Sequence, residues 1–327
     1  MAIIEVEGLS KRFQVARRNE QAGGLFRRLR REMVTVQAVE AMSFTVERGE
    51  IAGYIGPNGA CKSTTIKMLT GILVPSSGHV RVAGLEPTRR RMELAKKIGV
   101  VFGQRTQLWW DLPLRDSFDL LRHIYHVDTA RHRSTLTRCV EMLEMGPFLD
   151  TPVRQLSLGQ RMRGEVTAAL LHDPEILFLD EPTIGLDVVA KARIREFLTQ
   201  VNTERQTTIL LTTHDMGDIE RLCKRVMIID RGGLLYDGSI EHIKERFGGE
   251  RTLVVDLEAA EPPLSVANAR VERVEGPRQW LRFRREDTSA ADLIAEVVRS
   301  GHVVDLSLEE PAIEDVVRRI YETGEVQ

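Results

Sequence analysis

Residues 56–64 read Gly-Pro-Asn-Gly-Ala-Cys-Lys-Ser-Thr, set between the apolar run IAGYI (51–55) and the helical run TIKMLTG. A buried strand, a glycine-rich turn and a helix N-terminus, in that order, make a cradle for phosphate. Backbone N–H groups and the helix dipole meet the anion's charge. Gly56, Pro57, Asn58, Gly59, Ala60 and Cys61 form the turn. Lys62 is placed to reach β- and γ-phosphates, and the Ser63 hydroxyl, with Thr64 beside it, to hold Mg2+. The loop departs from the G-x-x-x-x-G-K-[ST] pattern because Cys61 stands at the second glycine. A side chain there crowds the phosphate and, where φ is positive, adds about 1–3 kcal/mol of strain. Its N–H remains to bind the anion. The plainer alternative is a glycine-rich turn that happens to precede a lysine.

A second element completes the chemistry. Ile176-Leu177-Phe178-Leu179-Asp180-Glu181 is an apolar strand that ends in two carboxylates. Asp180 would orient Mg2+ through its water shell, and Glu181 would polarise an attacking water as general base. Phosphoryl transfer depends on positioning and charge neutralisation, which these residue types supply. The third element, Leu156-Ser157-Leu158-Gly159-Gln160-Arg161, stands just before a helix, upstream of Asp180.

With these elements the chain resembles the ATP-binding-cassette (ABC) family, whose signature reads LSGGQ. Leu158 replaces the first signature glycine, whereas Ser157, Gly159 and Gln160 remain. The resemblance spreads over most of residues 1–247. It implies that Phe13 stacks on adenine and that Gln104 in VVFGQ senses Mg2+ and the membrane partner. It also implies that Asp187 in IGLD belongs to the D-loop and that His214 in LLTTHD contacts the γ-phosphate. The implied catalytic set is Glu181, His214 and Gln104, with Ser63, Gln104 and Asp180 at the metal. Two such cassettes pair head to tail in the family, and Ser157 with the Gly159 backbone of one closes on the ATP of the other. A chain with one cassette therefore pairs with a second copy or with a sister. ATP and Mg2+ are the implied cofactors.

Behind these motifs lies a legible architecture. IAGYI, IGVVF (98–102), ILFLD (176–180), TTILLTT (207–213) and RVMIID (225–230) are apolar on consecutive residues, as parallel strands buried on both faces are. Residues 115–172 carry little strand signal and read as a mostly helical insertion. After Gly248-Gly249 the texture changes. RTLVVDL (251–257), WLRFR (280–284) and HVVDLSL (302–308) read as strands, 288–299 as a helix, and a last helix follows from Pro311. The expected domains are 1–247, with a helical subdomain at about 105–172, and a smaller α/β domain at 250–327. The fold class implied is α/β, a P-loop NTPase cassette with a RecA-like core, an antiparallel β subdomain and a helical subdomain.

Length and composition bound the rest. The 327 residues suit roughly two domains. The 46 Lys and Arg against 48 Asp and Glu leave a formal charge of −2, which argues against binding nucleic acid through overall charge. The 42% hydrophobic share excludes a wholly disordered chain. No apolar run reaches the ~18 residues of a membrane span, and MAIIEVEGLSKRF does not read as a signal peptide. Cys61, Cys139 and Cys223, odd in number and far apart, suit a reduced cytosolic compartment. No internal repeat is evident.

Two features narrow the branch. Residues 14–37 form a long stretch after Phe13 with six arginines, Arg17, Arg18, Arg27, Arg28, Arg30 and Arg31. That stretch reads as a solvated basic loop or, alternatively, as a contact for anionic lipid or an acidic partner. The tail, ending EEPAIEDVVRRIYETG, resembles the extension of cassettes that serve ABC-2-type permeases, and GQRTQLWWDLP and SLGQRMR resemble the drug-exporter sub-branch. A peripheral position at the cytoplasmic face of the membrane, through permease subunits, follows from the resemblance. Rival readings are a non-transport ABC protein, whose fused cassettes, coiled-coil insertion or zinc modules are not evident, and a catalytically weak cassette paired with a competent sister. Trp109-Trp110 reads equally as a core pair or as part of a permease groove. His123, His126 and His132 have spacing that permits metal ligation, but they lie in a basic helical stretch without nearby cysteines.

Overall fold

The computed structural model describes residues 1–17, 32–103, 105–247, 250–284, 286–300, 302–310 and 313–323. Two units partition the chain, Met1–Asp237 and Gly238–Val326.

The first unit opens with β1 (Ala2–Arg17) and β2 (Glu32–Glu47), followed by β3 (Ile51–Ile55), α1 (Lys62–Leu69) and β4 (Ser77–Val82). β1 pairs antiparallel with both β2 and β4, in the order β2-β1-β4. Its inner face alternates as a half-buried strand must. Ile4, Val6 and Leu9 sit opposite Val46, Phe44 and Met42, and all six are buried in one cluster with Met68 and Leu69 of α1. The pairing continues to Arg17 opposite Glu32. Residues 14–17 and 32–37 are therefore strand, a correction to the long connecting stretch expected after Phe13. Arg18, Arg27, Arg28, Arg30 and Arg31 lie outside the described residues.

After α2 (Arg91–Ala95) comes β5 (Ile98–Phe102), then three helices, α3 (Leu114–Ile124), α4 (Thr129–Met142) and α5 (Leu158–Leu170). Asp128 starts α4 by accepting from the N–H groups of Ala130 and Arg131. Ser157 and Gln160 start α5 with a reciprocal capping box. The chain then runs through β6 (Ile176–Asp180), α6 (Val188–Arg205), β7 (Thr208–Thr212), α7 (Met216–Leu222), β8 (Arg225–Asp230) and β9 (Gly233–Ser239). The six-stranded sheet has the order β5-β6-β7-β3-β8-β9, and the β5–β6, β6–β7, β7–β3 and β3–β8 pairs are parallel. Every residue of β6 and β7 is buried, which is why these runs lack alternation.

The second unit holds α8 (Ile240–Phe247), β10 (Glu250–Leu257), β11 (Ala269–Glu275), β12 (Arg278–Arg284), α9 (Ala290–Ser300), β13 (Val303–Glu309) and α10 (Ile313–Thr323). Its antiparallel sheet has the order β11-β12-β10-β13 and packs Leu253, Val255, Leu257, Leu281 and Phe283 against Leu293 and Val297 of α9. β11 escaped the sequence reading because it is an edge strand, exposed along most of its length and rich in charge. The boundary falls at Asp237, about ten residues before the expected one, because α8 packs on α10. Gly248-Gly249 and Pro311 lie outside the described residues. Among the described residues, no helix is long and apolar enough to cross a membrane.

His172 joins two parts of the first unit. Its ring stacks on Tyr125 at 4.0 Å between centroids, and its Nε2 donates to Ile98 O at 2.9 Å. Nδ1 is buried without a partner. Burial pulls the His172 pKa below the ordinary histidine value, and His132 is lowered for the same reason. The unfolded chain therefore takes up protons before the folded one does. Stability is lost as pH falls below about 6.5, well before the depressed carboxylates of Glu175 and Asp215 titrate. The urea midpoint should drop between pH 7.5 and 5.5, and His172→Gln should shrink that drop; an equal drop in both proteins would contradict the assignment.

Candidate functional site

The site forms where three neighbouring parallel strands end. β3 turns into the glycine loop, β6 ends at Asp180 with Glu181 next, and β7 runs into Thr213 and His214. Gly56 is required by close approach, since a Cβ there would lie 2.6 Å from Ile229 O. Gly59 has φ +89°, a region open to glycine. Cys61 adopts φ 69° and ψ 26°, left-handed backbone at the start of α1. This is the strain expected if the cysteine kept the glycine's conformation, at about 1–2 kcal/mol for an L-residue. The loop nonetheless closes normally. Ala60 N donates to Pro57 O at 3.1 Å, and Thr65 N to Cys61 O at 3.0 Å.

Lys62 is buried, and its Nζ donates to Gly56 O at 2.6 Å, inside the curve of the loop. Burial lowers its pKa, and the carboxylates of Glu181 and Asp180 oppose that shift. Glu181 Oε1 lies 4.0 Å from this ammonium and 2.7 Å from His214 Nδ1, which donates to it. Glu181 itself has φ 57°, and its N–H donates to Thr212 O at 3.0 Å. Strained backbone of this kind concentrates at functional sites. Asp180 is buried, and its Oδ1 accepts from the Thr212 hydroxyl at 2.6 Å. Lys62, Glu181 and His214 thus form a continuous polar chain beside Asp180. Ser63 and Thr64 follow in the first turn of α1, both half-buried.

The donor set fits Mg2+. A hydroxyl at Ser63 and a carboxylate at Asp180 are hard oxygen ligands, and Mg2+ on a nucleotide needs only one or two from the protein. Among the described residues, no group of three or more His, Cys, Asp and Glu could hold a metal by itself. His123 is exposed beside Asp119, whereas His132 is buried.

Ser157, Gly159, Gln160 and Asp187 form a second group. Ser157 accepts from Gln160 N at 3.2 Å, and Asp187 caps α6 by accepting from Ala190 N at 2.8 Å. A Cβ on Gly185, whose φ is +70°, would lie 2.9 Å from Leu158 Cδ2, and one on Gly159 would lie 3.5 Å from Ala190 Cβ. The signature turn therefore packs on the turn that carries Asp187. Among the described residues, no hydrogen bond or ion pair joins this group to residues 56–64. Phe13 is about one-third exposed on β1, with Lys11 Nζ 5.2 Å from its ring centroid. Gln104 lies outside the described residues. Trp109 and Trp110 are both well exposed, at 37% and 50%, so the core-pair reading gives way to a surface one.

Sequence reasoning missed the supports. Thr212 holds Asp180, and the fully buried Asp218 accepts from Thr183, Thr213 and Arg195. Asp215 in turn pairs with Lys191 and Arg195, so both neighbours of His214 are fastened to α6 or α7. The only signal for this was the pair of threonines ahead of His214.

A buried parallel sheet, a glycine loop capping a helix and a strand-end carboxylate pair define a P-loop NTPase built as an ATP-binding cassette. Residues 39–184 match the ABC transporter family. The ABC transporter ATP-binding protein NatA of Bacillus subtilis (strain 168) is 32% identical over 67% of this chain and 89% of its own. A Nod factor export ATP-binding protein from Rhizobium sp. (strain N33) is 33% identical over 86% of this chain and 91% of its own. A daunorubicin resistance ATP-binding protein from Streptomyces coeruleorubidus is 34% identical over 71% and 72%. The chain belongs to the ABC transporter family, among its ATP-binding ATPase components. Among solved structures, a dimeric post-hydrolysis cassette bound to ADP and Pi shares the fold, with a TM-score of 0.60 at 23% identity over 72% of this chain and 98% of that one. An ATP-binding subunit of an ABC transporter does likewise, with a TM-score of 0.62 at 24% identity over 75% and 93%.

Cys61 is the half-buried thiol of the three, whereas Cys139 and Cys223 are buried. Burial also pushes the Cys139 thiol up to about 11. A maleimide should therefore modify Cys61 first in the folded protein, and ATP should slow that reaction. Mass spectrometry of tryptic peptides would show labelling indifferent to ATP if the loop did not hold phosphate.

Proposed function

We propose that this chain binds Mg-ATP at residues 56–64 and hydrolyses it, and that the hydrolysis energises an ABC-2-type membrane exporter through head-to-tail pairing of two cassettes. The observation that carries the reading is the polar chain from Lys62 through Glu181 to His214 beside the buried Asp180. In the working site, loop N–H groups and Lys62 hold the β- and γ-phosphates. Ser63, Asp180 and Gln104 would hold Mg2+, which when bound supplies charge neutralisation on the phosphates. Glu181 takes the proton of the attacking water, and His214 fixes the carboxylate that receives it. Phe13 stacks on the adenine.

Among the described residues no hydrogen bond or ion pair ties the signature group to residues 56–64, and in this reading a second cassette, a copy or a sister, supplies Ser157, Gly159, Gln160 and Asp187 across the nucleotide. The relatives named for Nod factor export and daunorubicin resistance support export. ABC-2-type permease subunits are then the membrane partners, with the chain peripheral at the cytoplasmic face. Glu181→Gln should lower turnover by at least about a hundredfold while leaving an ATP-bound dimer detectable by size-exclusion chromatography with light scattering. A monomer that persists with saturating ATP would count against the pairing.

The second reading, a catalytically weak cassette, rests on Cys61. The loop's normal closure and the placement of Lys62 favour turnover instead. Cys61→Gly should raise stability by about 1 kcal/mol and leave the Mg-ATP hydrolysis rate of the native chain within a few-fold. A silent native chain with an active Cys61→Gly variant would reverse the choice.

A further inference from the structure

Phe13 stands where the first sheet has only two strands. β4 follows β1 as far as Ser10 opposite Ser77, whereas β2 stays paired beyond that point, with Val36 opposite Phe13. A two-stranded ribbon by itself is marginal in water, and the Phe13 side chain is about one-third exposed on it. The group that meets the ring is Lys11, two residues earlier on β1. Its Nζ lies over the ring, 5.2 Å from the centroid, and donates to Val74 O at 2.7 Å. Val74 belongs to the turn after α1, where Leu73 N donates to Lys67 O of that helix at 2.8 Å. One ammonium therefore links the ring to the helix that the phosphate loop opens.

The strand does not need this ammonium to keep its place. Arg12 N donates to Ser76 Oγ at 3.0 Å, and Ser76 N donates to Ser10 O at 2.8 Å. Arg12 Nε donates to Gln37 Oε1 at 2.7 Å across to β2. These bonds hold residues 10–12 against the turn and the neighbouring strand whatever side chain stands at position 11. What Lys11 adds is a fixed cation over an aromatic face, attracted by the ring's quadrupole. A flat base gains most from stacking on a ring whose plane is set before the base arrives.

We propose that Lys11 is a positioning residue for the nucleotide base: anchored on Val74 O, its ammonium covers one face of the Phe13 ring and presents the rest of the ring to adenine. The proposal rests on the reading of Phe13 as the adenine-stacking group and goes beyond it. Loss of the ammonium weakens the hold on the base and leaves the hold on the phosphates at residues 56–64.

The test uses the full chain and its Lys11→Met, Lys11→Arg, Phe13→Ala and Lys11→Met/Phe13→Ala variants. Calorimetry measures the binding of ATP and of inorganic tripolyphosphate, both in EDTA so that no turnover occurs. Removing a positive charge weakens any nearby anion, so the quantity read is the ratio of the two affinities. Lys11→Met should lower that ratio about threefold, and Phe13→Ala on the order of tenfold. Lys11→Arg should restore the native ratio, and the double variant should fall no lower than Phe13→Ala, because without the ring the ammonium has nothing to orient. A native ratio in Lys11→Met beside a lowered one in Phe13→Ala would overturn the proposal and keep the reading of Phe13. Equal losses for both ligands in Lys11→Met, or an Lys11→Arg that behaves like Lys11→Met, would also overturn it. A native ratio in Phe13→Ala would overturn the reading of Phe13, and this inference with it.

Discussion

Everything at the site depends on β6, β7 and β3 lying side by side, parallel and in fixed register. Asp180 pairs with Thr212 across β6 and β7, and β3 is joined to β7 from Ile51 opposite Ile209. Parallel strands all end on the same edge of a sheet, so whatever follows each one is delivered to one place. Here that puts Glu181 Oε1 2.7 Å from His214 Nδ1 and 4.0 Å from Lys62 Nζ at the end of the glycine loop, with Asp180 the residue before Glu181. A slip of one residue in β6 would turn Asp180 to the other face and remove its bond from Thr212. The continuous burial of these strands makes such a slip costly.

The site concentrates strain and charge that the rest of the cassette holds in place. Cys61 and Glu181 both take left-handed backbone, and Lys62 is buried with its ammonium on loop carbonyls. Such features persist when surrounding contacts over-determine them. The buried Asp218 network performs that service for the stretch around His214, and Thr212 performs it for Asp180. Thr212 bonds Asp180 itself, whereas Asp218 bonds Thr213, the residue before His214.

The signature turn obeys a different logic. Leu158 stands at a glycine position and leans toward Gly185, with its side chain partly exposed. This couples the signature turn to the start of α6 within one chain. Farther along the same helix, Glu165 meets Thr106 and Gln107. Local turns are thus tied to one another through helices.

The sequence by itself determined the sheet strands, the glycine-rich turn ahead of α1, the strand-end carboxylates and the cassette family, because each is written in a short contiguous run. Runs of buried residues and a glycine-lysine-serine turn carry their physics locally. The division at Asp237 is not written locally, since α8 reads in sequence as a continuation of the chain and packs on α10. Tertiary structure alone decided that 14–17 and 32–37 are strand, that Trp109 and Trp110 are surface residues and that Thr212 and Asp218 hold Asp180 and the residue before His214. Those residues lie far in sequence from most of the groups they touch. Their roles depend on which segments the fold brings together, and no local pattern encodes that.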